Sequence, residues 1–207
     1  MFFHYGGQMK HMPAPELLLS TAKLYRSLSQ NNYRITLTDD SVIELRFPAG
    51  CYHHLVGLHK FPDIAEVTID RERGRSAKSI YQDILCGNIT EYDLQLSEHY
   101  DEAVVPDRLR AFLDIDALLN QEASLVLPYR PDRLLFNTRI RGDLLLFRAA
   151  IRLKTGTQYM LLFFRRDSVG DYYVPISFFE HLGSDYLKNQ VLQPIKAFRV
   201  ERKRTKR

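Results

Sequence analysis

The stretch His53-His54-Leu55-Val56-Gly57-Leu58-His59-Lys60-Phe61 packs three imidazoles and an ammonium group around one glycine. Histidine titrates near neutrality and so suits proton transfer, and lysine neutralises an anion. Laid on a continuous helix at about 100° per residue, Cys51, Tyr52, Leu55, Leu58 and Phe61 form an apolar arc. His53, His54 and Lys60 fall on or beside the opposite arc, with Gly57 among them. A glycine there costs about 1 kcal/mol of helix stability. It leaves a notch where another backbone, or a phosphate, can approach. The plain alternative is a short core helix whose polar side is simply wet. Such a helix would point Cys51, His53, His54 and His59 around most of its circumference. The chain also lacks Cys-x-x-Cys and His-Glu-x-x-His spacing. No metal and no cofactor are therefore expected.

The elements that must position these residues follow from periodicity. Residues 14–30 read as a helix, with Leu17, Leu18, Thr21, Leu24, Tyr25 and Leu28 on one stripe. Residues 33–38 and 42–47 alternate with period two about Asp39-Asp40-Ser41, a hairpin signal. Pro48-Ala49-Gly50 then delivers the chain into the histidine stretch, and Pro62 stops it. Asp63 and Glu66 have capping-box spacing, which predicts helix to about residue 69. Helices are also expected over 76–85 and 90–99, and after Pro106, with Leu109, Phe112, Leu113, Ile115, Leu118 and Leu119 as its apolar side.

From residue 125 the period changes. Strands are expected over 133–139, 143–153, 158–165, 172–178 and 195–202, with a short helix at 186–191 before the last. The fold class is α+β: a helical N-terminal half with one early hairpin, packed on a C-terminal twisted antiparallel sheet of about four to five strands. One domain is expected over 1–207, with 1–122 mainly helical, 123–202 the sheet and 203–207 a basic tail. One sheet face reads as core, and the other mixes Arg, Tyr, Ser and Asn as a binding surface would.

Charge narrows the partners. The net +4 over 207 residues conceals ten acids against two bases in 82–122, and seventeen bases against seven acids in 123–207. A basic second half suggests a polyanion, although the two blocks could instead pair with each other. Two cysteines, Cys51 and Cys86, make no disulfide framework. No apolar run is long enough to span a bilayer, and the N-terminus has no signal-peptide pattern. A cytoplasmic protein without membrane contact is expected. No glycine-rich phosphate loop or nucleophile elbow occurs.

The segment His54-Leu55-Val56-Gly57-Leu58-His59-Lys60 resembles the His-Leu-x-Gly-Leu-x-Lys motif of a phage-borne nuclease-like family of the barnase–EndoU–colicin–RelE superfold, whose members are mostly RNases. A weaker likeness lies in Tyr172-Tyr173-Val174-Pro175-Ile176-Ser177-Phe178-Phe179, followed by Tyr186 and Gln190. The order of elements covers nearly the whole chain. The acidic block 82–122 has no evident counterpart.

The resemblance implies a metal-independent, toxin-like endoribonuclease from a phage or other mobile element. Such an enzyme needs a base, an acid, cations around the phosphorane and a surface for neighbouring bases. His54 and Lys60, which match the motif, are expected to face Arg139 and Ser177 on the sheet, and these four are the candidate catalytic residues. Arg139 and Arg141 flank a sheet turn, where a guanidinium can clamp phosphate oxygens. Ser177 lacks a local activating base and reads as a hydrogen-bond donor, not a nucleophile. His53, placed on the more exposed arc, is the alternate histidine. With Arg141, Arg148, Tyr173 and Lys188 it is a candidate contact to nucleic acid. RNA or another nucleic acid is the expected partner, and an inhibitor protein a second. The competing reading is a non-catalytic module that binds nucleic acid or protein through the basic half. A third is a protein–protein adaptor using the acidic helices.

Overall fold

The computed structural model describes residues 16–100, 105–119, 125–153 and 156–203. The start of the first expected helix and most of the basic tail lie outside these residues. Helix α1 (Leu17–Ser29) follows the expected stripe, burying Leu18, Thr21, Ala22, Tyr25 and Leu28. It runs directly into the hairpin β1 (Asn31–Leu37) and β2 (Val42–Arg46), paired antiparallel. Short helices follow: α2 (Tyr52–Leu55), α3 (Ala77–Cys86), α4 (Glu91–Gln95) and α5 (Val105–Phe112). Strands β3 (Leu125–Pro128), β4 (Leu144–Leu153), β5 (Gly156–Arg166), β6 (Tyr173–Leu182) and β7 (Ile195–Arg202) complete the chain.

The α+β class holds, but the sheet is larger than the C-terminal half. Its seven strands run β3-β4-β5-β6-β2-β1-β7, so the early hairpin sits inside it. The pairing of β2 with β6 is parallel, through Leu45 and Tyr173, and every other pairing is antiparallel. β7 pairs with β1, from the opposite end of the chain. The sheet curls until its ends meet: Gln193 N–H donates to Val126 C=O at 2.9 Å, just ahead of β7.

Four further expectations are corrected. Residues 133–139 form no strand, because the chain turns at Pro131–Arg133 and continues irregularly to β4. Residues 62–69 and 186–191 are turns, not helices. The second sheet face is not broadly polar. Leu127, Tyr129, Leu145, Phe147, Leu161 and Phe163 form a second apolar cluster there, with Phe179 and Tyr186 packed on it.

The main core joins the helices to the sheet, and Tyr25, Tyr52, Tyr81, Phe47 and Phe112 meet ring to ring at its centre. Tyr52 is fully buried; its hydroxyl donates to Leu18 C=O at 3.0 Å and lies 2.9 Å from Thr21 Oγ1. That fixes α2 against α1. The histidine stretch is not one helix. α2 ends after one turn, and Gly57 takes φ +86° and ψ +17° before a 3-10 turn over Leu58–Lys60. Tyr52, Leu55, Val56, Leu58 and Phe61 are all buried on both sides of this break.

L residues reach that left-handed conformation at a cost of about 1–2 kcal/mol. A Cβ on Gly57 would also lie 3.2 Å from Val105 Cγ2 and 3.4 Å from Arg108 Cδ. Gly57→Ala is therefore expected to lower stability by at least that amount. Urea unfolding should show a lower midpoint with an unchanged slope. An unshifted midpoint would contradict the assigned turn.

Candidate active site

The break at Gly57 decides what each histidine does. His53 is 2% exposed, and its Nε2 lies 2.7 Å from Val67 C=O. A carbonyl only accepts, so Nε2 carries the hydrogen and donates it. The carbonyl is available because residues 62–69 are not helical. The expectation of an exposed His53 fails: α2 turns that ring inward beside Tyr52. It is His53, not His54, that is the buried backbone-bonded histidine. His54 and His59 are exposed and adjacent, with ring centroids 4.8 Å apart.

Facing them is β6. Its register with β5 shifts between Phe163 and Phe164, which pair with Ser177 and Pro175, leaving Ile176 unpaired as a bulge. Bulges re-aim side chains beside functional sites, and here Ile176 and Ser177 both turn to the histidines. The irregular segment before β4 braces this bulge. Asp143 N–H donates to Phe164 C=O at 2.8 Å, and a Cβ on Gly142 would lie 3.0 Å from that same oxygen. Within this segment Arg141 Nη1 donates to Thr138 C=O at 3.0 Å.

The result is a cleft of about 300 Å³. His54, His59, Arg108, Arg139, Arg141, Arg165 and Ser177 line it, and among the described residues no carboxylate does. Among the described residues none of these four arginines makes an ion pair. Arg108 Nε is buried without a hydrogen-bond partner. Four guanidiniums converging with no ion pair among the described residues make a site for an anion, and their planar forks match phosphate oxygens.

Electrostatics set the protonation of the rings. Partial desolvation by the surrounding cleft lowers the His54 pKa although the ring keeps contact with solvent, and Arg165 adds to the effect. The same desolvation pushes His59 down to about 4, assisted by His54, His53, Arg108 and Lys60. Burial also lowers His53, against the opposing hydrogen bond to Val67. At neutral pH these rings are uncharged and can accept protons. Desolvation lowers the pKa of Arg108.

Of the expected catalytic residues, His54, Arg139 and Ser177 share the cleft, as does Arg141. Lys60 does not. It lines a neighbouring cavity of about 590 Å³ with Asp107, Asp114, Phe179 and Glu180, and Arg108 forms the wall between the two. Desolvation, then Arg108, lowers the Lys60 pKa. Arg148 is half-buried and donates to Ala117 C=O at 3.2 Å, away from the cleft. Tyr173 lines another cavity with Glu44, Asp143 and Asp171, and Lys188 pairs with Asp185 at 2.8 Å.

His59, Arg108 and Arg165 were not singled out from the sequence. Arg108 had one signal, being one of only two bases in the acidic block. That block is part of the fold: α5 buries Val105, Leu109 and Phe112 and presents Arg108 beside Gly57. The glycine notch thus admits α5, not a phosphate. The geometric ground for excluding a metal is also corrected. One ring nitrogen from each of His53, His54 and His59 lies within 4.8 Å of the others, because the turn at Gly57 brings His59 back over α2.

The sequence model of the phage-Barnase-EndoU-ColicinE5/D-RelE like nuclease4 family, PBECR4, matches residues 17–206. The chain belongs to that family. Its match spans every helix and strand described above, including the acidic helices and the cleft. Searches of curated proteins and of solved structures returned no match. Among the described residues no helix of this PBECR4 protein is long and apolar enough to cross a membrane.

The two adjacent histidines make opposite predictions for stability. His53→Ala strands the Val67 carbonyl inside the protein and should cost about 1–3 kcal/mol. His54→Ala, at an exposed ring, should stay within about 0.5 kcal/mol of wild type. Urea midpoints of the two variants decide this, and equal losses would contradict the assigned burial.

Proposed function

We propose that this nuclease-family protein cleaves RNA without a catalytic metal, at the cleft between the His54–His59 pair and the β6 bulge. The observation that carries this reading is the cleft's composition: neutral imidazoles beside four arginines that make no ion pair among the described residues. Arginines bind a phosphodiester on any nucleic acid. The imidazoles add the proton acceptor that transfer of an RNA 2′-hydroxyl requires.

In the proposed reaction His54 takes the 2′-hydroxyl proton as the 2′-oxygen attacks phosphorus. The bond from phosphorus to the 5′-oxygen breaks, giving a 2′,3′-cyclic phosphate and a 5′-hydroxyl. The 5′-oxygen is reprotonated from the His54–His59 pair, whose pKa rises when the phosphate brings negative charge beside it. Arg139, Arg165 and Arg108 stabilise charge on the phosphorane, and Ser177 donates to one of its oxygens. Lys60 and Phe179, in the adjoining cavity, serve the neighbouring nucleotide: Lys60 its phosphate, Phe179 its base. A toxin-like role in a mobile element, with an inhibitor protein as partner, accords with the phage association in the family description.

Purified protein is expected to cleave RNA in EDTA and to leave 2′-deoxy substrates intact. His54→Ala should lower the rate by about 10²–10⁴-fold, and Arg139→Ala by about 10²-fold. Lys60→Ala should mainly raise KM. Products resolved on a gel, with the cyclic phosphate identified by mass, provide the measurement. RNA left intact at high wild-type concentration across several substrates would overturn the enzyme reading. RNA binding that survives His54→Ala without any cleavage would then favour the non-catalytic module.

A further inference from the structure

We infer that His53, His54 and His59 form a binding site for a zinc-class transition-metal ion. One nitrogen from each ring already lies within 4.8 Å of the other two. Tetrahedral zinc, with Zn–N near 2.0–2.1 Å, needs its ligand nitrogens roughly 3.3 Å apart. The site must close by about 1.5 Å, and the two exposed rings supply the movement. Among the described residues neither His54 nor His59 makes a hydrogen bond that would hold it in place.

The third ring is fixed. His53 donates its Nε2 hydrogen to Val67 C=O at 2.7 Å, which leaves Nδ1 as a bare lone pair. That nitrogen is buried and has no hydrogen-bond partner. A buried acceptor without a donor carries a desolvation cost, and a metal ion would remove it. The arrangement also matches how histidine ligands are held elsewhere, with one nitrogen on the ion and the other donating to a backbone carbonyl.

Donor chemistry selects the ion. Three imidazoles without a carboxylate suit zinc, copper or nickel and disfavour magnesium and calcium, which take oxygen ligands. Three protein ligands leave a fourth position open toward the arginine-lined cleft. The metal site does not depend on the nuclease reading. If both hold, they exclude one another in time, since bound metal occupies the lone pairs of His54 and His59. Zinc would then be an inhibitor.

The test uses full-length, tag-free protein stripped with EDTA and desalted. Zn²⁺ is titrated by calorimetry, and Co²⁺ by the visible absorption of a tetrahedral nitrogen-ligated ion. One ion per chain is expected, with affinity at least tenfold weaker in His54→Ala and in His59→Ala. Both sites are exposed, so the variants should keep the wild-type circular dichroism. His99→Ala, at a histidine outside the cluster, should bind as wild type does. Absence of stoichiometric Zn²⁺ binding, or binding unchanged in both cluster variants, overturns the proposal. These readouts need no cleavage, so failure of the nuclease reading leaves them interpretable.

Discussion

The left-handed turn at Gly57 is the constraint on which the site depends. Five residues of continuous helix would point His54 and His59 about 140° apart. With φ at +86° the chain reverses, and the two rings lie 4.8 Å from one another. Tyr52 and Leu55, before the turn, and Leu58 and Phe61, after it, still enter the same core. Burial of these four side chains is what keeps His54 and His59 outward. Fully burying one large apolar side chain is worth about 1.5–3 kcal/mol, enough to offset the short, poorly bonded helical turns on either side.

The other wall of the cleft is fixed by the sheet. The bulge at Ile176 turns Ser177 toward the histidines, and the close approach of Gly142 to Phe164 presses the arginine-bearing segment onto it. The parallel join of β2 to β6 ties the N-terminal hairpin to that same strand, and α5 spans from Gly57 to β6. Each wall therefore rests on residues from both halves of the chain. Arginines held this way, without an ion pair among the described residues, are costly to keep together without an anion, since neighbouring cations repel. Their convergence is an argument for a bound phosphate, whatever happens to it next.

Much of the fold was legible from periodicity alone, because α1, the hairpin and the long strands β4 to β6 carry local patterns. The sheet's extent was not. The pairing of β1 with β7, and the parallel contact of Leu45 with Tyr173, join residues far apart in sequence, and period-two alternation does not say which strand is a neighbour. One sheet face was expected to be polar, yet both are apolar: Leu144, Leu146 and Leu162 join the main core, and Leu145, Phe147, Leu161 and Phe163 pack on the other side under Tyr129 and Tyr186. At the site, residue type and motif singled out His54, Arg139 and Ser177, which share one cleft. His53 was misplaced and His59 passed over for one reason: a glycine was treated as a notch in a helix when its backbone ends that helix. Arg108 was hidden because its segment is acidic, and charge averaged over a block conceals a single cation aimed inward.

The central claim is that the cleft between the histidine turn and the β6 bulge receives the phosphodiester. The most direct measurement is two-dimensional NMR of the protein titrated with a 2′-deoxy dinucleotide, which lacks the hydroxyl that the proposed cleavage needs. The account predicts saturable shifts of the His54 and His59 ring signals and of the Ser177 amide, with Tyr173 and Lys188 unmoved. Shifts confined to the basic C-terminal residues, with both rings unchanged, would contradict it.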